Sequence, residues 1–598
     1  MYLSNIKLWN FRKFGLMGEV DPINPHLDLN LTKGLNVIIG ENDSGKTAII
    51  DAVKLVLKTH SYDYIRVEDK DFHKTTSHLR IELSFEDLTP DEAKNFTEWL
   101  GWTGTGEDVK PFLRLNYDVR RQGEKILPTD VKAGIDDDGY LLTAEAKEYL
   151  KATYLKPLRD AENELIAKRN SRLSQILLGD TAFKGKEKNH ELVCIFESLS
   201  KELEKYFKGE FEVKTTDEDG NEQIISPQEG KLIKNKIDSY IKAFYGSDYE
   251  TEFNASSNDI KGILERLTLF LKGEQSPGLG TLNRLFMAAE LLHLTKSNWS
   301  GLRLGLVEEL EAHLHPQAQM QVIEAFQKQK DIQLILSTHS PNLASKLKLE
   351  NLIICNNANA FPMGHTYTKL GKEDYKFLEK FLDTTKSNLF FAKGVILVEG
   401  WAEELLLPSI AKAIGINLTE KGVSIVNIGH TGFDHYAKIY LRQAEPNMAI
   451  PVAVITDSDI REYEKNGDDF VKRNTQTVEQ ETQAKLATIN GKAEQSVKYF
   501  PAPIWTLEYS LFKSASLTAL LQNATKAIHT HTNWDTDFEK ALAKKLINKT
   551  LKKTAIAYHI ANAIDEDLIK VAPTIQITDD ANDTINYLIK AIKYATGN

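Results

Sequence analysis

The chain has 598 residues, of which 41% are hydrophobic and 27% charged, and it carries a formal net charge of −11. That length exceeds what one hydrophobic core supports and predicts several domains with the composition of an ordinary soluble protein. The acidic balance excludes a histone-like basic coat but not nucleic acid, because an acidic nuclease gathers carboxylates at a metal and keeps its basic groove local.

The opening MYLSNIKLWNFRKFG alternates apolar and polar residues, which predicts a strand and not a signal peptide. No apolar run reaches the roughly 20 residues that cross a bilayer, so no membrane partner and a cytoplasmic location are expected. Next come the strand LNVIIG, the loop GENDSGKT and a helix. This loop fits GxxxxGK[ST] in the context the mechanism needs, after a strand and opening a helix. Gly40, Asn42 and Gly45 belong to the turn whose N–H groups wrap phosphates. Lys46 would reach the β- and γ-phosphates of ATP, and Thr47 would offer its hydroxyl to Mg²⁺. Strands are predicted from Leu79 and from Pro111.

From about Arg159 to Lys272 the pattern is helical and charged, broken by the polar hairpin TTDEDGNEQ with Asp219-Gly220 as its turn. This segment reads as an insert in an α/β domain. The single Cys194 here and Cys355 further on exclude a disulfide framework and a four-cysteine zinc site. An apolar strand at 304–307 then delivers Glu308 and Glu309 at its C-terminal end, where ligands bind in open α/β sheets. Glu308 takes the position that holds Mg²⁺ through water, and Glu309 that of the base orienting the attacking water. A second strand, 332–336, ends in Ser337-Thr338-His339-Ser340, with His339 placed to sense the γ-phosphate.

A polar helical connection at 372–388 leads to VILVEG, helix, SIVNIG, helix, VAVITDSD, a βαβ rhythm that predicts a parallel sheet. Glu399 ends the first strand, Glu403 and Glu404 lie in the helix after it, and Asp457 and Asp459 follow another strand two residues apart, hence on one face. Carboxylates gathered at one sheet edge suit Mg²⁺ or Mn²⁺ and would repel each other without a cation. One or two such ions activate water and stabilise a leaving oxygen. A charged stretch to about Ser496 and a helical tail complete the chain.

The P-loop, EELEAHLHP and STHSP, in that order, resemble the ABC-type ATPases of the RecF and SMC group. That resemblance implies a signature segment before Glu308, and SPGLGTLNRLFMAAELL fits, with Ser276, Gly278 and Gly280 opening a helix toward the γ-phosphate held by another subunit. It departs from LSGGQ, and Leu310 replaces the proline usual in EEPE. The strand-end glutamate with a later DxD resembles Toprim domains. Both together resemble the OLD (overcoming lysogenization defect) family, which includes the Gabija nuclease subunit and retron-associated nucleases. The run SIVNIGHTGFDHY is similar to that family's glycine-containing strand-loop. WTLEYSL resembles its LExDL segment and offers Glu508 as a further metal ligand, with Ser510 where aspartate is common. KTAIA resembles its K-x-x-A helix start, which implies that Lys553 faces the scissile phosphate and neutralises transition-state charge.

The expected architecture is α/β: an ABC-type ATPase domain split into 1–160 and 273–385, a helical dimerisation insert at 161–272, and a Toprim domain at 386–598. The resemblance implies an ATP-binding, Mg²⁺- or Mn²⁺-dependent DNA endonuclease in anti-phage defence. Its expected partners are DNA, a second copy of the chain or a higher homo-oligomer, and a UvrD-like helicase or a retron reverse transcriptase with its RNA/DNA. The competing expectation is an ATP-gated DNA clamp with an inactive Toprim domain. A bacterial-type primase lacks support without a cysteine/histidine module, a topoisomerase without chain for a gate domain, and a full SMC protein without a heptad arm.

Overall fold

At the centre of the first sheet lies Leu35–Gly40, whose six residues are all buried because both faces of the sheet are covered. In the computed structural model, which describes all residues except 61–64, 157–163, 181, 184, 187–188, 217–221, 246–249, 254–258, 274–277, 295–299, 330, 430–431, 468, 535 and 598, this strand has two parallel neighbours, Gln333–Ser337 and Leu352–Asn356. Leu304–Val307 and Thr153–Leu155 continue the parallel sheet on one side, and Asn359–Pro362 closes the other side antiparallel. The P-loop, the Glu308 turn and the His339 turn therefore all leave from the C-terminal ends of neighbouring strands.

A second, antiparallel sheet is built on Leu27–Asn30, Tyr2–Trp9, His78–Glu86 and Lys110–Gln122. The helix Lys46–Leu57 is packed between the two sheets. Its Ile49, Ile50, Val53 and Val56 share one core with Leu3, Ile6, Leu8 and with Leu79, Ile81 and Leu83.

The insert consists of helices Arg172–Leu178, Glu191–Lys208, Glu229–Tyr245 and Ile260–Leu264, with a hairpin pairing Val213–Thr216 to Glu222–Ile225. The Asp219-Gly220 turn lies outside the described residues. The two long helices pack on each other, yet Ile195, Leu199 and Leu203 on one and Leu232, Tyr240 and Phe244 on the other stay exposed. Ile195, Leu199 and Leu203 are four apart and so form one stripe.

The last sheet orders its strands Val423–Asn427, Gly394–Val398, Val452–Thr456, Val497–Pro501, all parallel. Alternation splits its two faces between two cores. Val395, Leu397, Val452 and Val454 join Val37, Ile39, Leu352 and Ile354 of the ATPase sheet in one continuous core, with Leu389 and Phe390 between them. Ile396, Val398, Ala453 and Ile455 face the helices Trp401–Ala413, Lys553–Leu568 and Asn586–Thr596. The charged stretch after Asp459 folds as a hairpin, Tyr463–Asn466 with Asp469–Lys472, and the helix Thr475–Asn490. Among the described residues no helix is long and apolar enough to cross a membrane.

Candidate functional site

Two clusters of chemistry-bearing side chains stand at the C-terminal ends of the two parallel sheets. The first is the P-loop cavity of about 680 Å³, lined by Arg12, Asn42, Lys46, Thr47, Glu309 and His339 among others. Its turn needs glycine at two points. Gly40 has φ 141° and a Cβ there would stand 2.5 Å from the Cys355 carbonyl oxygen, while Gly45 has φ 109° and a Cβ would meet the Phe14 ring at 2.7 Å. Lys46 is buried and donates to the carbonyl oxygens of Gly40 (2.9 Å) and Glu41. Burial pushes its ammonium pKa down, against the pull of Glu311, Glu309 and Asp43.

Glu309 sits at φ 44°, a left-handed conformation that a non-glycine residue rarely takes, and its carboxylate stands 4.0 Å from His339 Nε2. Burial, then Lys46, pushes the His339 pKa down, so the ring is neutral at pH 7. Glu311 fixes this turn: it accepts hydrogen bonds from Thr338 Oγ1 (2.8 Å) and the His339 backbone N–H (2.5 Å). Glu308 is only 4% exposed and takes a hydrogen bond from the Tyr154 hydroxyl at 3.2 Å. Burial, then Asp51, pushes its carboxyl up to about 7. Arg12, outside the recognised motifs, pairs with Asp51 and Asp71, each at 2.8 Å. In the signature segment Ser276 lies outside the described residues, and Gly278 immediately precedes the helix Leu279–Leu294. Gly280 is inside that helix, where a Cβ would stand 2.6 Å from the His313 carbonyl oxygen beside the Glu308 turn.

The second cluster follows from strand register. Leu397 pairs with Val454, so two residues on Glu399 stands beside Thr456. Thr456 Oγ1 donates to Glu399 Oε1 at 2.6 Å and the Asp457 N–H to the same oxygen at 3.3 Å. Asp457 Oδ1 accepts from the Leu507 N–H at 2.8 Å, at the start of the helix Leu507–Lys513. Glu508, one residue on, is 2% exposed; its Oε2 meets Lys553 Nζ at 2.9 Å and Thr506 Oγ1 at 3.0 Å, and its Oε1 is buried with no hydrogen-bond partner. Burial, then Glu508, pushes Glu403 up to about 7. Burial, Glu508, Glu399 and Glu403 push Asp457 well above the usual carboxylate range, with Lys553 opposing them. Burial works against the Lys553 charge, but Glu508, Asp457 and Glu403 outweigh it and raise its pKa.

Asp459 departs from the sequence expectation. The strand ends at Thr456, Asp459 turns to φ 59°, and its side chain is exposed. Strand alternation no longer holds there, so it does not place Asp457 and Asp459 on one face, and Asp459 is not among the charges acting most strongly on Asp457. Glu404 is held by the Asn427 side-chain amide at 2.9 Å. Ser510 is buried and donates to the Ile504 carbonyl oxygen at 3.0 Å. Sequence reasoning missed Thr456, Glu311 and Arg12. The first two lie inside the runs VAVITDSD and EELEAHLHP, so position alone was a usable signal.

Glu403, Asp457 and Glu508 thus act together on Lys553, with Glu399 beside Asp457, an excess of negative charge that a divalent cation relieves. Among the described residues no three His, Cys, Asp or Glu side chains are arranged so that they could hold a metal ion as they stand. The donor set, and the unpartnered oxygen of Glu508, fit such an ion.

Residues 390–459 match the family model "Overcoming lysogenization defect protein-like, TOPRIM domain", and residues 35–345, more than half of the chain, match "AAA domain, putative AbiEii toxin, Type IV TA system". The chain belongs to the OLD family of ATPase–Toprim proteins. Among OLD-type relatives, Endonuclease GajA of Bacillus cereus (strain VD045) is 25% identical over 73% of this chain and 72% of its own length. Endonuclease GajA of Bacillus cereus (strain HuB5-5) is 23% identical over 79% of this chain and 78% of its own, and OLD nuclease of Thermus scotoductus 22% over 75% and 82%.

Proposed function

We propose that this OLD-family chain is an ATP-regulated, divalent-metal-dependent endonuclease that cuts DNA phosphodiester bonds. The observation that carries the reading is the cluster of half-buried Glu399, Glu403 and Asp457 with the buried Glu508 and with Lys553, at the sheet edge where Toprim chemistry is expected. The endonuclease names of its relatives support the substrate class.

Bound Mg²⁺ or Mn²⁺, held by these carboxylates, would supply activated water and charge stabilisation at the leaving oxygen. The chain's own residues prepare that centre. Thr456 fixes the orientation of Glu399, and the Leu507 N–H fixes Asp457. Lys553 holds a positive charge against Glu508, where it can offset the charge that develops on a phosphate in the transition state.

In the head, Lys46 and Thr47 would take the phosphates and Mg²⁺ of ATP, Glu308 would hold that ion through water, and Glu309 and His339 would respond to the γ-phosphate. Cleaving a phosphodiester needs no ATP, so the head acts as a switch through its differential affinity for nucleotide, whether ATP licenses cleavage or restrains it. The exposed apolar helices of the 161–272 insert support a homodimer in cytoplasmic anti-phage defence, acting alone, with a UvrD-like helicase, or with a retron reverse transcriptase. Incubation of the full chain with supercoiled and linear DNA in Mg²⁺ or Mn²⁺ tests the nuclease. Cleavage that excess EDTA abolishes is expected. No cleavage with either ion, or cleavage that persists in EDTA, overturns the reading.

A further inference from the structure

The helix Asn586–Thr596 enters the Toprim site from the far end of the chain. At its C-terminal end the Ala595 carbonyl oxygen presses on the first residue of the central strand, so closely that a Cβ on Gly394 would stand 1.9 Å from it. The helix packs along that strand, its neighbour Val452–Thr456 and the next strand out, Val497–Pro501. From Ala595 back to Tyr587 a helix rises about 12 Å, and from Gly394 to Glu399 a strand advances about 16 Å. The helix run therefore carries Tyr587 to the strand edge where the carboxylates stand.

Tyr587 is 8% exposed, and its hydroxyl is buried with no hydrogen-bond partner. Burial pushes its pKa far up, and Asp457, Glu403, Glu508 and Glu399 add to the rise in that order, so the phenol keeps its proton. A buried hydroxyl left unpaired destabilises the fold, because its hydration is lost and nothing replaces it. The same cluster holds a complementary orphan, the Glu508 Oε1 acceptor. A donor and an acceptor, both buried and both unpartnered, face one cluster.

We propose that Tyr587 is a positioning residue of the Toprim metal centre, its hydroxyl donating to an oxygen in the ligand shell of the bound divalent ion. The inference rests on the metal-dependent reading above. Partners of this kind fix ligand orientation, and removing one lowers metal affinity by about 10- to 100-fold. Tyr587→Phe keeps the ring in its buried slot and removes only an oxygen that has no protein partner.

The test is Mn²⁺ titration of the full chain, without nucleotide, read by the electron paramagnetic resonance of free Mn²⁺, with thermal melting in EDTA alongside. Asp457→Ala identifies which sites belong to the Toprim centre. Tyr587→Phe is expected to weaken the Asp457-dependent Mn²⁺ affinity about tenfold while its melting temperature in EDTA matches or exceeds that of the wild type. Affinity within twofold of wild type overturns the role of Tyr587 and leaves the metal site standing. So does a lowered melting temperature in EDTA, which marks an ordinary structural hydroxyl. Should the wild type show no Asp457-dependent Mn²⁺ binding, the metal-centre reading itself falls.

Discussion

The two acidic sites of this chain solve opposite problems. In the ATPase head the acids are spread along one turn and each has its own neighbour: Tyr154 for Glu308, His339 for Glu309, Thr338 and a backbone N–H for Glu311. The positive charge there, Lys46, is built in, because the ligand expected brings phosphates. In the Toprim centre four carboxylates act on one another with a single lysine among them, and burial with mutual repulsion drives Asp457 and Glu403 upward. The ligand expected there is a cation. A site's charge imbalance thus names the sign of what it waits for, and it does so more sharply where the groups are buried, since desolvation amplifies every unmatched charge.

The comparison breaks most completely at Asp457. Asp457→Ala is expected to reduce DNA cleavage below detection while ATP binding, measured by calorimetry, stays within twofold of wild type. Loss of both together would mean the two clusters are not separate sites.

Next in size is the general base. Glu309→Gln should bind ATP as the wild type does and turn it over about 100-fold more slowly, read by phosphate release. Unchanged turnover would move the base role elsewhere, and the left-handed backbone at Glu309 would need another explanation. Lys46→Ala should weaken ATP binding by about 10- to 100-fold, the worth of a lost charge-assisted contact. Cleavage by the wild type should change with ATP and cleavage by Lys46→Ala should not. An equal ATP response in both proteins would separate the P-loop from control of the nuclease.

What the sequence disclosed, and what it hid, divides along the same line. The P-loop, the Glu308–Glu309 turn and the His339 turn were legible because each motif is contiguous and leaves the end of a strand whose apolar run is plain. Glu399 and Asp457 were legible for the same reason. The place of Asp459 was not legible, because alternation stops at the strand end and Asp459 lies beyond it, at φ 59°. Lys553 was named from the KTAIA resemblance, but its partner Glu508 is visible only in the packing of the helix Lys553–Leu568. Tyr587 gave no local signal at all: an aromatic residue in an amphipathic helix looks like core, and only the packing of that helix brings its hydroxyl to the acids. The antiparallel sheet was glimpsed strand by strand, but strand order is a property of long-range pairing.

The smallest expected effect sharpens the comparison from the other side, with a carboxylate that is fully matched. Glu539 lies in the helix Phe538–Ile547, accepts from Lys472 Nζ at 2.8 Å, Tyr509 Oη at 2.7 Å and Lys513 Nζ at 2.9 Å, and so ties the hairpin to the helix that carries Glu508. Burial works against its charge, yet Lys472, Lys513 and Tyr509 outweigh it and bring its pKa down to about 2. A carboxyl depressed in the folded state contributes stability that is complete above its ordinary value of 4.5 and is lost as pH falls toward about 2. Asp457, raised where Glu539 is lowered, has the opposite sign. Glu539→Gln is therefore expected to cost about 1–3 kcal/mol at pH 7, measured by denaturant unfolding, and the gap to wild type should narrow as the pH is taken from 5 to 3. Tyr509 and Lys513 share a helix with Glu508, so the substitution should also loosen the approach of Glu508 to Lys553 and lower cleavage severalfold without abolishing it. A gap that stays constant from pH 5 to 3 would show that the Glu539 charge is not what holds that helix, and the contrast between matched and unmatched carboxylates would rest on Asp457 alone.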